Sequence, residues 1–197
     1  MALTHFERHA LLFNRIARPY AWFFAGQTRN YAACFELGRD ALPESRGKQA
    51  LDIGCGTGAF TRALEREGWE VCGVDVAEAM ARQGARRGLS CSVGDAIAGL
   101  GFPDKSFDLV TAAYVAHGLR RPDRLALLAE ARRLSRGLVL FHDYNARRRP
   151  LTSLVEKLEG GDYFNFIRIG LEDFRSVFGE VRVIDMGKQS SWYLCRP

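Results

Sequence analysis

The spacing of apolar residues changes period twice along the chain. Over residues 4–42 the apolar positions Phe6, Leu12, Phe13, Ile16, Trp22, Phe23, Tyr31, Phe35 and Leu37 recur at near-helical intervals. The pattern predicts helices, broken around Pro19 and Gly26. From residue 49 onward short apolar runs alternate with amphipathic ones. Strands are predicted over 49–53, 69–76, 89–93, 107–113 and 138–142, with helices over 59–68, 77–87 and 121–135. Pro122 and Asp123 suit the first turn of the last of these helices. Strand, helix, strand at this spacing argues for a parallel sheet with helices on both faces.

Beyond residue 143 the rhythm is different. Leu151, Leu154, Val155 and Leu158 mark a short amphipathic helix, which Gly160-Gly161-Asp162 breaks. An aromatic stretch, DYFNFIRIG, follows, and a further helix is predicted over 171–178. The last two strands, 180–186 and 191–195, are joined by only Gly187-Lys188-Gln189-Ser190, too short for a parallel crossover. An antiparallel hairpin is therefore expected at the edge of a mostly parallel, seven-stranded sheet.

Composition narrows the setting. No segment reaches the ~20 uninterrupted apolar residues of a membrane helix. The most apolar early stretch, 10–26, is interrupted by Arg15, Arg18 and Pro19, and the first residues lack the order of a secretory signal. The five cysteines, Cys34, Cys55, Cys72, Cys91 and Cys195, are scattered, with no close pair to frame a metal. They read as small buried hydrophobes in a reducing compartment, so a cytoplasmic location and no metal are expected. The formal charge of +5 raises a nucleic-acid partner. Most arginines, at 82/86/87, 120/121/124 and 132/133/136, fall on or beside predicted helices and are interleaved with acids, as on solvated faces. Only Arg147-Arg148-Arg149, ahead of Pro150, forms a continuous run.

Chemistry concentrates at LDIGCGTGAF, residues 51–60. Gly54, Gly56 and Gly58 fall between a strand and a helix, where the chain must turn sharply and a ligand approaches the backbone. The spacing G-x-G-x-G is not the dinucleotide fingerprint G-x-G-x-x-G. Asp52, two residues before the first glycine, would repel a diphosphate and welcome an amine. Asp75, closing the second strand, lies where doubly wound folds hydrogen-bond a ribose. Asp95, after the third strand, suits an exocyclic adenine amine. Amine, ribose and adenine without phosphate describe S-adenosylmethionine. Simpler roles stay open beside these: Asp75 as a helix cap and Asp95 as a turn residue.

The glycine-rich stretch, Gly73-Val74-Asp75-Val76, Val93-Gly94-Asp95-Ala96 and FPDKSFDLVTAAYVAHGL (102–119) together resemble the class I S-adenosylmethionine-dependent methyltransferases. The similarity is greatest to the methyltransferase domain type 11 group, which includes quinone-biosynthesis enzymes. Phe13-Asn14-Arg15-Ile16-Ala17 with Tyr20 is similar to the opening segment of those enzymes. The resemblance implies a Rossmann-like α/β/α sandwich with sheet order 3-2-1-4-5-7-6. It implies that Asp52, Gly54, Cys55, Gly56 and Gly58 hold the methionine portion and that Asp75 and Val76 hold the ribose. Asp95 and the backbone of Ala96 would then hold the adenine, with Tyr114 under the sulfonium end and Tyr20 a further cofactor-binding residue. One domain over 1–197 is expected: a helical cap at 1–45, a cofactor-binding core at 46–143, an insertion at 144–178 and a terminal hairpin at 179–197.

For methyl transfer the protein must align a nucleophile with the S–CH3 bond, and a general base depends on that nucleophile's pKa. Candidates project from the ends of strands four and five: His117, His142 and Asp143. Asp143 with Asn145 does not make a convincing metal site. The helices at 1–45 and the insertion, both aromatic-rich (Tyr20, Trp22, Phe23, Phe24 and Tyr31; Tyr163, Phe164, Phe166 and Ile167), are expected to roof a pocket for a small organic or lipid-like acceptor. Two further readings remain: an RNA or protein methyltransferase using the arginine run, and a non-catalytic cofactor-binding module. The product of transfer would be S-adenosylhomocysteine, and oligomeric state is not legible.

Overall fold

Five consecutive strands carry near-continuous buried runs or lie between them, and a strand buried on both faces needs helices above and below. The computed structural model describes residues 5–147 and 161–197. Its parallel strands are β1 (Gln49–Ile53), β2 (Glu70–Asp75), β3 (Cys91–Val93), β4 (Phe107–Ala113) and β5 (Ser135–Tyr144). The hairpin β6 (Glu180–Asp185) and β7 (Ser190–Arg196) completes a sheet of order β3-β2-β1-β4-β5-β7-β6. β7 is antiparallel to both β5 and β6, as the four-residue connection required. The Rossmann-like order expected from the resemblance is the order observed.

The helices are α1 (His5–Tyr20), α2 (Phe24–Gly38), α3 (Ala59–Arg66), α4 (Glu78–Ala85), α5 (Arg121–Leu134) and α6 (Tyr163–Val177). Alternation along the strands divides the core in two. One face gathers Leu51, Ile53, Val110, Ala112, Val139 and Phe141 under α5 and α6. The other gathers Ala50, Leu109, Leu140 and Trp192 under α2 and α3, where Phe35 and Phe60 pack at 5.3 Å between ring centroids. α1 joins the body through a small cluster of Ala17, Ala77 and Met80. Asn14 Oδ1 also accepts the Ala79 N–H at 2.8 Å, satisfying a donor in the first turn of α4 from outside that helix.

Two boundaries differ from the sequence reading. α6 begins at Tyr163, not 171, so the aromatic stretch is itself helical. Gly170 permits this packing, since a Cβ there would meet the Phe166 ring at 2.8 Å. β5 begins at Ser135, directly after α5, and not at 138; Arg136 and Gly137 are exposed and carry no apolar signal. The helix read at 151–158 lies outside the described residues. Among the described residues no helix is long and apolar enough to cross a membrane.

The arginines on the described elements are largely tied into the fold. Arg133 reaches Glu130, Asp104 and two backbone carbonyls, Arg136 pairs with Asp108, and Arg147 with Asp185. Arg124 is fully buried, donating through Nε to Asp173 Oδ2 at 2.9 Å and through Nη1 to Leu119 O at 2.7 Å. This pins α5 to α6, an anchor the sequence did not disclose because its partner is 49 residues away.

Candidate functional site

A cavity of about 750 Å³ lies across the carboxyl ends of β1, β2, β4 and β5. This is the crevice where an open α/β sheet reverses its strand order and where ligands bind. At one end the wall is Gly54, Gly56, Asp75, Val76, Ala96 and Ile97; at the other, Tyr114, His117, His142, Tyr144, Met186 and Ser190.

The glycine turn is built by backbone geometry. Gly54 and Gly56 have φ of 71° and 55°, a left-handed conformation that other residues adopt at a cost. The Gly54 and Cys55 N–H groups both donate to Val74 O, at 2.7 and 3.0 Å, which fastens the turn to β2. A Cβ at Gly54 would drive into the Val115 side chain, whereas one at Gly56 would meet nothing within 4 Å. Gly56 therefore presents bare backbone to the cavity, the open cradle expected beneath a ligand. Gly58 faces the other way, against Leu89, and opens α3 at φ 87°. Cys55 is likewise buried away from the cavity; its thiol lies against Cys91, and that contact, then burial, raises its pKa.

Asp75 sits at the cavity wall with both carboxylate oxygens engaged. Oδ2 accepts the Gly56 N–H at 2.8 Å and Oδ1 the Ala77 N–H at 2.7 Å. It ties the glycine turn to the loop before α4 while exposed to the site; it does not cap α4, whose N-cap residue is Ala77 and carries no side-chain cap hydrogen bond. Burial raises its pKa to about 6 against these hydrogen bonds. Asp95 does not line the cavity. Its Oδ1 accepts from the Ile97 and Ala98 N–H groups at 2.8 and 3.1 Å, the turn role, while Ala96 and Ile97 supply the wall.

Asp52 departs from its expected position. Ile53 lines the cavity, whereas Asp52 is wholly buried and does not line it. Its oxygens accept the Thr61 hydroxyl at 2.7 Å and the Thr111 hydroxyl at 3.0 Å. Burial raises its pKa to about 7; the threonine hydrogen bonds pull in the opposite direction.

Tyr114 closes β4 with φ 55°, an uncommon conformation for a residue with a side chain and one that concentrates at functional sites. Its N–H donates to His142 O at 2.8 Å, its ring packs against His142 and Tyr144, each 5.0 Å away between centroids, and burial raises its pKa to about 12. Tyr20 lines the roof and accepts a hydrogen bond from Gln27 Nε2 at 3.0 Å.

The three catalytic candidates come together. His117 lines the cavity and its ring Nδ1 lies 2.7 Å from Asp143 Oδ1, a carboxylate with no solvent exposure. His142 also lines the cavity, but its Nδ1 accepts the Trp192 Nε1–H at 2.9 Å, and burial lowers its pKa to about 4.

The roof is α1 and α2. Phe6, Phe13, Tyr20 and Tyr31 face the cavity, whereas Trp22 and Phe23 are 87% and 64% exposed and do not. The described part of the insertion is not a roof: Tyr163 and Phe166 are core residues, and Tyr163 touches the site only through Tyr144, at 5.0 Å. Sequence reasoning missed the polar contribution of α2, where Gln27, Asn30 and Cys34 line the cavity together with Tyr31. Their spacing of three, four and seven residues was the available signal. Met186 and Ser190, brought in by the final hairpin, had none.

Residues 50–137 match the family model described as a methyltransferase domain. A demethylmenaquinone methyltransferase of Tropheryma whipplei is 35% identical over 112 residues, covering 52% of this chain and 45% of that protein. Its namesake in Staphylococcus aureus is 35% identical over 133 residues, 62% of this chain and 52% of the relative. The chain spans about half the length of the curated relatives it matches. A solved S-adenosylmethionine-dependent methyltransferase from Thermotoga maritima superposes with a TM-score of 0.69 at 22% identity, over 94% of this chain and 98% of the other. Sheet order, glycine turn and matched segment agree: residues 50–137 are a methyltransferase domain, set within a class I S-adenosylmethionine-dependent methyltransferase fold.

Proposed function

We propose that this chain transfers a methyl group from S-adenosylmethionine to a small, largely apolar, ring-bearing acceptor. The observation that carries the reading is a continuous cavity that begins at bare glycine backbone and the Asp75 carboxylate and ends among aromatic rings and imidazoles. One end suits a phosphate-free nucleoside with an amino-acid tail, the other a flat organic molecule.

The residues present fit that cofactor. Gly54 and Gly56 admit close backbone contact, Asp75 offers a carboxylate to ribose hydroxyls, and Val76, Ala96 and Ile97 form an apolar slot for a base. S-Adenosylmethionine supplies, when bound, a methyl group on a positively charged sulfur. The work of the protein is then alignment, worth several orders of magnitude in rate when the reacting atoms are held in line. Tyr114, fixed in its left-handed conformation at the aromatic end, and the roof helices α1 and α2 are placed to hold both partners and keep water out. Asp52 acts at one remove, fixing Thr61 of α3 and Thr111 of β4 around the turn.

The name of the curated relatives, demethylmenaquinone methyltransferase, supports a lipid-like quinone ring as the acceptor class. A polyanionic acceptor has less support, because Arg133, Arg136 and Arg147 are occupied by acids; Arg148 and Arg149 lie outside the described residues. Calorimetric titration with S-adenosylhomocysteine and with NAD tests the cofactor. Incubation of cell extract with methyl-labelled S-adenosylmethionine, then separation into lipid-soluble, RNA and protein fractions, tests the acceptor. Label confined to RNA or protein defeats the small-molecule reading; binding with no transfer to any fraction defeats the enzymatic one.

A further inference from the structure

The roof of the cavity has an outer side. On α1, Phe6, Phe13 and Tyr20 line the cavity. Leu11, Arg15 and Arg18, spaced by four and three residues, fall on the opposite face of the same helix and are exposed. Four residues beyond Arg18, in the 3-10 turn Ala21–Phe23, Trp22 and Phe23 stand open to water, the two apolar rings already seen not to face the cavity. Arg29, exposed on α2, follows Trp22 by about two helical turns.

Neither the rings nor the charges on this side serve the fold. An exposed tryptophan beside an exposed phenylalanine forgoes the burial that stabilises such side chains elsewhere. Arg133, Arg136 and Arg147 are engaged by acids, but Arg15, Arg18 and Arg29 have no ion pair or side-chain hydrogen bond among the described residues. From Arg8 to Phe35 the sequence contains no aspartate or glutamate, so the positive charge is locally unbalanced. Aromatic rings at a helical corner flanked by uncompensated arginines match an anionic lipid surface, where rings settle at headgroup level and guanidinium groups meet phosphates. A second copy of this chain fits less well, because a two-fold contact would set the same positive charge against itself.

We propose that the outer face of α1 and the turn after it dock this chain on an anionic lipid bilayer. Trp22 and Phe23 enter the headgroup layer, and Arg15, Arg18 and Arg29 meet lipid phosphates. The contact is peripheral and lays the roof helices against the layer in which a lipid-like acceptor dissolves. That consequence rests on the methyltransferase reading above; the docking itself does not.

The test adds vesicles of phosphatidylcholine, alone or with an equal part of phosphatidylglycerol, to the full chain. Trp69 and Trp192 are buried, so Trp22 is the tryptophan whose emission reports the contact. Co-sedimentation with the mixed vesicles and a blue shift of that emission are expected, with weaker binding to neutral vesicles and at high salt. Arg15→Gln, Arg18→Gln and Arg29→Gln together lower vesicle affinity about 100-fold, roughly fivefold for each charge. Trp22→Ser with Phe23→Ser lowers it about tenfold and abolishes the blue shift. Both variants keep the wild-type urea midpoint and S-adenosylhomocysteine affinity, since all five side chains are exposed and outside the cavity. The proposal is overturned if the wild-type chain stays in the supernatant with mixed vesicles, if either variant binds them as wild type does, or if binding leaves the emission unchanged. A dimer that Trp22→Ser dissolves, or binding to single-stranded RNA in place of vesicles, overturns it equally. A chain that sediments with vesicles but does not bind S-adenosylhomocysteine supports the docking and strikes only at the methyltransferase reading.

Discussion

Asp52→Asn should make the protein more stable at neutral and alkaline pH, although it removes a buried carboxylate with two hydrogen bonds. Burial raises the Asp52 pKa from 3.8 to about 7, so its ionisation is resisted in the folded state and not in the unfolded one. The sign follows from that direction. The contribution of a group with a raised folded pKa is fully present below pH ~4 and is lost as pH rises to about 7. A shift of about three units corresponds to roughly 4 kcal/mol at most. The amide loses little in exchange. Thr111 Oγ1 already lies 3.3 Å from Leu51 O, so its hydroxyl can donate there and accept from the new Nδ2, while Thr61 still donates to Oδ1. Urea denaturation of both chains at pH 4, 6 and 8 should show a gap near zero at pH 4. It should grow to about 2–4 kcal/mol in favour of the variant at pH 8. A variant less stable at pH 8, or a gap that does not change with pH, would refute the reasoning.

Three further outcomes can be measured with the same protein. Asp75→Asn should weaken S-adenosylhomocysteine binding by about 1–3 kcal/mol, and more than Asp52→Asn does, since only Asp75 reaches the cavity; calorimetry giving the opposite order counts against the ribose assignment. Because Asp75 titrates near 6 when folded, wild-type affinity should also fall as pH is lowered through about 6 and the carboxylate is neutralised. Gly56→Ala should cost only about 1–2 kcal/mol of stability for its left-handed φ, with no clash inside the protein, yet lower affinity about tenfold by filling the cradle; an unchanged Kd would place the ligand elsewhere. Arg124→Met should destabilise by about 3–5 kcal/mol, and adding Asp173→Leu should restore most of that loss, because the cost lies in a buried Asp173 left with the half-exposed Arg121 as its remaining ion-pair partner; additive losses in urea melts would contradict this.

What the sequence disclosed was what local pattern encodes. The glycine turn, the strands around it and the hairpin connection are each decided within a few residues, and all appeared where expected. The sheet order came from the resemblance, because strand pairing is a long-range property. Asp52 was expected at the methionine portion, and β1 alone could not show otherwise: its burial is closed by Thr61 and Thr111, which belong to α3 and β4. The helical character of residues 163–170 was hidden because Gly160-Gly161-Asp162 and a run of aromatics resemble a loop, while Phe166 among them packs against Tyr193 on a distant strand. Gln27, Asn30 and Cys34 were overlooked because polar residues on a helix suggest solvent until a cavity is known to face them.

The amide of Ala79 borrowing its acceptor from Asn14 has a consequence for how anything reaches the interior. Residues 5–20 cannot swing outward without stripping that acceptor from the neighbouring helix, whose preceding loop is gripped by Asp75. Outward movement of α1 and slackening of the loop held by Asp75 are thereby geared together. Deuterium uptake at Ala79 would report each such excursion.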